Sequence, residues 1–226
     1  MIPIPSEIKT EKLHVKLDTN YPFENSLSYK IEAAEEFTFT IRIPSFAENL
    51  VLDGRRIDKE QKLTFTVAAG TCREINLSFE TKPEMQDRPH SLKTVKCGSL
   101  VFSLPVKYKK KMYEYVRNGV ERKFPYCDYD YITDSEWSYG YADDRLEVER
   151  RDVSDIPFSS EHPPIVIRAK VRKIDWGLED GYRFICAKVP KSRIPIDEPE
   201  EVLLYPYGCA KLRMTELPLL GEDDNR

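Results

Sequence analysis

The chain has 226 residues, 40% of them hydrophobic and 33% charged, with 35 Lys and Arg against 39 Asp and Glu. That length suits one or two domains with a genuine core, and a net charge of -4 with a pI near 5.6 argues against a general nucleic-acid binder. No run reaches the ~18 apolar residues of a membrane span, and five scattered cysteines, an odd number, make no disulfide framework.

Met1 to Glu7 lacks the basic and apolar regions of a secretion signal. A reducing, cytoplasmic setting without membrane or nucleic-acid partners is therefore the expectation. Ten Phe, 13 Tyr and 16 Pro favour strands and irregular loops over helices.

Leu13, Val15 and Leu17 alternate with polar residues and predict a half-buried strand. Asn20-Tyr21-Pro22 turns the chain. Leu27 to Ala33 and Phe37 to Ile43 alternate in the same way, and Pro44-Ser45 ends the second of them. Leu50-Val51-Leu52 runs into Asp53-Gly54, a hairpin signal because both central positions of a type I′ turn need positive φ. Strands follow at Leu63 to Val67 and Ile75 to Phe79, with a turn at Gly70 and then a polar link holding Pro83 and Pro89.

The most continuously apolar stretch, Leu100-Val101-Phe102-Ser103-Leu104, lies between Gly98 and Pro105 and reads as a strand buried on both faces. The charged Lys107-Tyr108-Lys109-Lys110-Lys111 beyond it reads as a solvated linker, a seam between two β modules. In the second module, aromatics crowd residues 112–141 without clear period, which suggests long loops and short strands. Strands are expected around Leu146 and Val148, at Ile165 to Val171, Phe184 to Val189, Val202 to Tyr205, and Leu212 to Met214. The fold class is all-β: two antiparallel β-sandwich modules with irregular aromatic-rich loops, over 1–106 and 107–220, and a disordered tail at 221–226.

Chemistry is sparse. There is no CxxC, HExxH, GxSxG, Walker loop or GxGxxG, and His14, His90 and His162 are isolated. Asp128 and Asp130 would stand about 7 Å apart between Cα atoms on one strand face, within the carboxyl separation of glycosidases, but solvated loop acids are the better account of them. Tyr126, Asp128, Tyr129, Trp137 and Tyr139 form the candidate contact set, because Tyr and Trp offer a flat apolar face with a polar edge to a sugar or to another domain.

Asn20-Tyr21-Pro22-Phe23 with Phe37 to Ala47, then Gly98 to Pro105, Phe124-Pro125-Tyr126-Cys127-Asp128-Tyr129, Trp137-Ser138-Tyr139 and Leu204 to Arg213 resemble the post-barrel region of beta-L-arabinofuranosidase-like proteins, glycoside hydrolase family 127 and its relatives. The resemblance runs from about Thr19 to Leu219. Gly98-Ser99 and Ser45-Phe46 depart from the Gly-Pro and Ser-Trp usual in the family.

The resemblance implies an (α/α)6 barrel followed by two β-sandwich modules. It places the chemistry in the barrel, on a Cys nucleophile beside a zinc held by Cys and Glu. None of that cluster is in this chain, so neither a catalytic residue nor a cofactor is assigned to it. The implied role is a non-catalytic C-terminal accessory region bracing a catalytic barrel in cis or in trans. A stand-alone carbohydrate-binding module is the alternative, with glycan and homo-oligomeric contacts as further partners.

Overall fold

The computed structural model describes residues 4–182 and 185–221. The final residues of the expected tail, 222–226, and Phe184 of the expected 184–189 strand lie outside them. The described residues are nearly all β, with two three-residue 3-10 turns at Pro89–Ser91 and Tyr207–Cys209. No helix is long and apolar enough to cross a membrane.

Two compact units divide the chain, one of Met1–Pro83 with Cys97–Leu100 and one of Glu84–Lys96 with Val101–Arg226. The first holds β1 (Ser6–Lys9), β2 (Leu13–Asp18), β3 (Ser26–Ala33), β4 (Phe37–Arg42), β5 (Glu48–Leu52), β6 (Arg55–Arg56), β7 (Lys62–Val67) and β8 (Thr71–Glu80). A six-stranded sheet runs β1-β2-β3-β8-β5-β6, while β4 and β7 form a sheet of their own.

Alternation explains the packing. On β3 every second residue, Leu27, Tyr29, Ile31 and Ala33, is buried, and these pack with Ile41, Leu63, Phe65, Ile75 and Leu77 in one core. At the β5–β6 hairpin Asp53 and Gly54 both take positive φ, 48° and 79°, as the I′ turn requires.

The second unit is built from β9 (Pro83–Arg88), β10 (Leu92–Cys97), β11 (Leu100–Pro105), β12 (Tyr108–Tyr113), β13 (Tyr115–Arg117), β14 (Val120–Arg122), β15 (Asp128–Thr133), β16 (Tyr139–Arg150), β17 (Ile165–Lys173), β18 (Glu200–Pro206), β19 (Arg213–Met214) and β20 (Glu216–Pro218). Its main sheet runs β16-β17-β18-β11-β10-β20, with β9 on β10 and β19 on β11. The sheet curls until its ends meet: Tyr141 bridges Leu219, and the Leu220 N–H donates to the Tyr141 carbonyl at 2.9 Å.

Gly140 makes that seam possible. A Cβ there would stand 2.5 Å from Leu220 Cδ2 and 3.1 Å from the Pro218 carbonyl, so any side chain would force Leu220 to shift. Closure of this kind removes free sheet edges.

Three expectations need correction. The Pro83–Arg88 link is a strand, β9, whose edge position tolerates its proline. Lys107–Lys111 is no linker: β12 pairs residue for residue with β15, from Tyr108 opposite Thr133 to Tyr113 opposite Asp128. The buried central run is indeed a strand, β11, and its partners are β10, β18 and β19. Around Cys186 there is a single bridge to Leu178 rather than a strand.

Candidate functional site

Residues 107–134 make a two-stranded ribbon, β12 with β15 and β13 with β14, turned at Asn118-Gly119 where φ is again positive at both positions (52° and 74°). No residue in this stretch is buried. Seven Lys and Arg alternate here with seven Phe and Tyr between 107 and 133. Cross-strand contacts hold the ribbon. Tyr108 and Tyr131 stack edge-on at 4.9 Å, Lys110 Nζ lies 3.9 Å over the Tyr129 ring, and Lys211 Nζ lies 4.9 Å over Tyr131. The same lysine bonds to the Tyr131 hydroxyl and holds it below its ordinary pKa.

Three of the five candidate residues sit on this ribbon. Tyr126 is 81% exposed, beside Phe124 at 69%. Asp128 shares the exposed face of β15 with Asp130 and bonds to the Tyr115 hydroxyl, which pushes that phenol up. Tyr129 donates to the Pro125 carbonyl at 3.3 Å, and its own pKa is pushed up to about 12, chiefly by the bond to Cys127.

The other two lie at the closed sheet, Trp137 just before β16 and Tyr139 at its start. Trp137 packs at 6.4 Å from Trp176. Tyr139 is buried at the start of β16, and its hydroxyl donates to Glu200 Oε1 at 2.8 Å; burial and then that carboxylate push its pKa up. Beside them, burial would push Glu136 up, yet the N–H groups of Ser138 and Trp137 hold its carboxyl below the ordinary range. The candidates therefore form two groups: an exposed one on the ribbon and a largely packed one on the sheet.

The thiols offer no activated nucleophile at the two positions where burial acts on them. Cys186 and Cys209 are both pushed up to about 11 by burial, which keeps them protonated. Among the described residues no three His, Cys, Asp or Glu side chains gather as a metal site.

An aromatic trough was not foreseen from the sequence. In the first unit Tyr21, Leu27, Tyr29, Phe46 and Phe79 line about 460 Å³ beside β4. Phe39 meets Tyr29 edge-on at 5.3 Å, and burial pushes the Tyr29 hydroxyl above its ordinary value. Leu27, Tyr29 and Phe79 read only as inward strand residues and Tyr21 as part of a turn, because the alternation that marks an inward side chain does not say whether a strand lies opposite it.

The comparisons bear on the whole chain. No family model and no curated protein matches it. Among solved structures, a GH127 beta-L-arabinofuranosidase from Geobacillus stearothermophilus T6 superposes with a TM-score of 0.55 at 17% identity, over 96% of this chain and 32% of that one. This chain has the fold of a part of that enzyme. Two further structures are similar more loosely. One is titled a glycoside hydrolase (TM-score 0.45, 14% identity, 93% of this chain and 33% of that one). The other is a GH127 beta-arabinofuranosidase (0.45, 13%, 95% and 33%). The chain spans about a third of the length of the structures it matches.

Proposed function

We propose that this chain is the non-catalytic C-terminal β region of a beta-L-arabinofuranosidase-like glycoside hydrolase and that it braces an (α/α)6 catalytic barrel, in cis or in trans. The observation that supports this reading is the lopsided coverage: 96% of this chain against 32% of the Geobacillus enzyme, at a TM-score of 0.55. A region that braces another domain needs surface to give it, typically about 600 to 1,500 Å². The exposed Phe124 and Tyr126 on the ribbon supply apolar surface of that kind.

The decisive experiment mixes the chain with a separately expressed GH127-type barrel. The expected result is a stable complex, a raised Tm for the barrel, and turnover of aryl arabinofuranosides only when the barrel is present. Turnover by the isolated chain that vanishes in Cys127→Ala or Asp128→Ala would overturn the reading.

A second reading, a stand-alone carbohydrate-binding module, draws on the exposure of Tyr126, since stacking on a sugar ring needs an open aromatic face. It requires saturable binding of soluble arabinosides by a monomeric chain, lost in Tyr126→Ala. Bracing instead requires that Tyr126→Ala weaken barrel binding, or self-association when no barrel is present, with no sugar effect. The buried Tyr139 is unsuited to this test, because its removal disturbs the sheet itself.

A further inference from the structure

In the first unit, two strands of one sheet face six of the other. On β7 the inward residues Leu63, Phe65 and Val67 are all buried, whereas on β4 Phe37 and Phe39 stay part-exposed and Ile41 alone is buried. Each of the two strands has the other as its one bonded neighbour, and it is β4, not β7, that lines an open trough.

The direction of its unused backbone groups follows from the ladder. The Ile43 N–H donates to the Gln61 carbonyl at 2.9 Å. In an antiparallel pair the bonded positions alternate, so Phe37, Phe39 and Ile41 bond to β7 and the N–H and C=O groups of Thr38, Thr40 and Arg42 point away from it. The 3.2 Å approach of the Thr40 and Thr64 hydroxyls fits this phase, since side chains come closest at non-bonded pairs. The trough of about 460 Å³ lies along that same edge, lined by Thr40 and Arg42 on β4 and by Leu27, Tyr29 and Phe79 on the large sheet. A rounded small molecule fills the trough and leaves the edge unused; a strand satisfies both.

We propose that β4 accepts a third strand: an extended, acidic peptide segment with apolar side chains at alternate positions. Its backbone would pair with Thr38, Thr40 and Arg42, and its apolar side chains would drop onto Leu27, Tyr29 and Phe79. This is recognition by strand addition, in which main-chain bonds supply affinity and alternate side-chain pockets supply selectivity. Charge selects the acidic character, because Arg42, Lys59 and Lys62 outnumber Glu60 in the adjoining cleft. The proposal does not rest on the bracing role.

The test uses the full chain and a panel of heptapeptides alternating Val or Leu with Thr or Glu, in both registers, read by amide exchange. At saturation the Thr38, Thr40 and Arg42 amides should exchange at least ~tenfold more slowly. Peptides N-methylated at the bonding positions should give no protection. Thr40→Pro removes an outward N–H that β7 does not use, a change edge strands tolerate, and should abolish binding. The methylated peptides keep the test sound if that variant fails to fold. Three outcomes overturn the proposal: no protection by any member up to millimolar peptide, binding that survives N-methylation, or a trough that takes soluble arabinosides while its edge amides stay unprotected.

Discussion

β17 and β12 are both regular antiparallel strands of the second unit, and they share almost nothing else. β17 has a bonded partner on each side, and its first three residues, Ile165, Val166 and Ile167, are at most 1% exposed on either face. β12 has one partner, and all six of its residues are exposed. Both have ladder hydrogen bonds, so the bonds are not what separates them. A backbone bond contributes little net of the water it replaces, whereas burying an aliphatic side chain contributes about 1.5–3 kcal/mol. β17 is held by its core. The ribbon is held by cross-strand contacts worth a few tenths to about 1 kcal/mol each, and a two-stranded ribbon standing alone is marginal in water.

The largest effect should come from the sheet. Ile167→Ala leaves a cavity on the buried face of the sheet and should cost about 2–5 kcal/mol in urea unfolding. A smaller loss, about 1–3 kcal/mol, is expected of Gly140→Ala, which drives a methyl into Leu220 at the seam. Adding Leu220→Ala should recover part of that loss, and no recovery would show that the Pro218 carbonyl is the true obstacle. On the ribbon, Val116→Ala at 66% exposure should stay within about 0.5 kcal/mol. The ribbon amides should nonetheless exchange far faster than those of β17, with trypsin cutting first at Arg117, Arg122 or Lys123. Equal protection of the two strands would erase the contrast.

The smallest effect concerns another edge, β1. His14 lies between Glu7, 2.6 Å from Nε2, and Glu32, 3.2 Å from Nδ1. The bond to Glu7 raises its pKa above 6.5, and the same bonds to His14 lower both carboxylates below 4.5. A raised histidine stabilises fully below its unfolded pKa and loses that contribution as pH rises through its folded value. The lowered carboxylates lose theirs as pH falls through their folded values. The tie should therefore be strongest between about pH 4.5 and 6.5, and protection of the β1 amides should fade above that window. His14→Gln should flatten the profile, and salt should weaken it because these groups face solvent.

Period-2 alternation made β2, β3, β4, β7, β8 and β17 legible, because each has one or both faces on a core and burial writes itself into the residue pattern. The same rule hid the ribbon. Tyr108-Lys109-Lys110-Lys111-Met112-Tyr113 faces solvent on both sides, so no burial pattern distinguishes it from a tether. Polar Pro83–Arg88 disappeared for the same reason. Of the candidate residues, the exposure of Tyr126 could not be told apart from the burial of Tyr139, since composition treats both as tyrosine in an aromatic cluster. The trough beside β4 depends on which strands the small sheet has, a tertiary fact without a local trace.

The seam between Tyr141 and Leu219 also sets a schedule. Roughly 80 residues separate its two sides, and at synthesis rates of ~5–20 residues per second the later side follows the earlier by roughly 4 to 16 seconds. Tyr139 to Tyr141 must wait that long with their eventual neighbours still unmade, while β17 and β18 have already arrived. The ring is thus fastened by its youngest residues, and whatever attends the nascent chain meets this sheet as an open band.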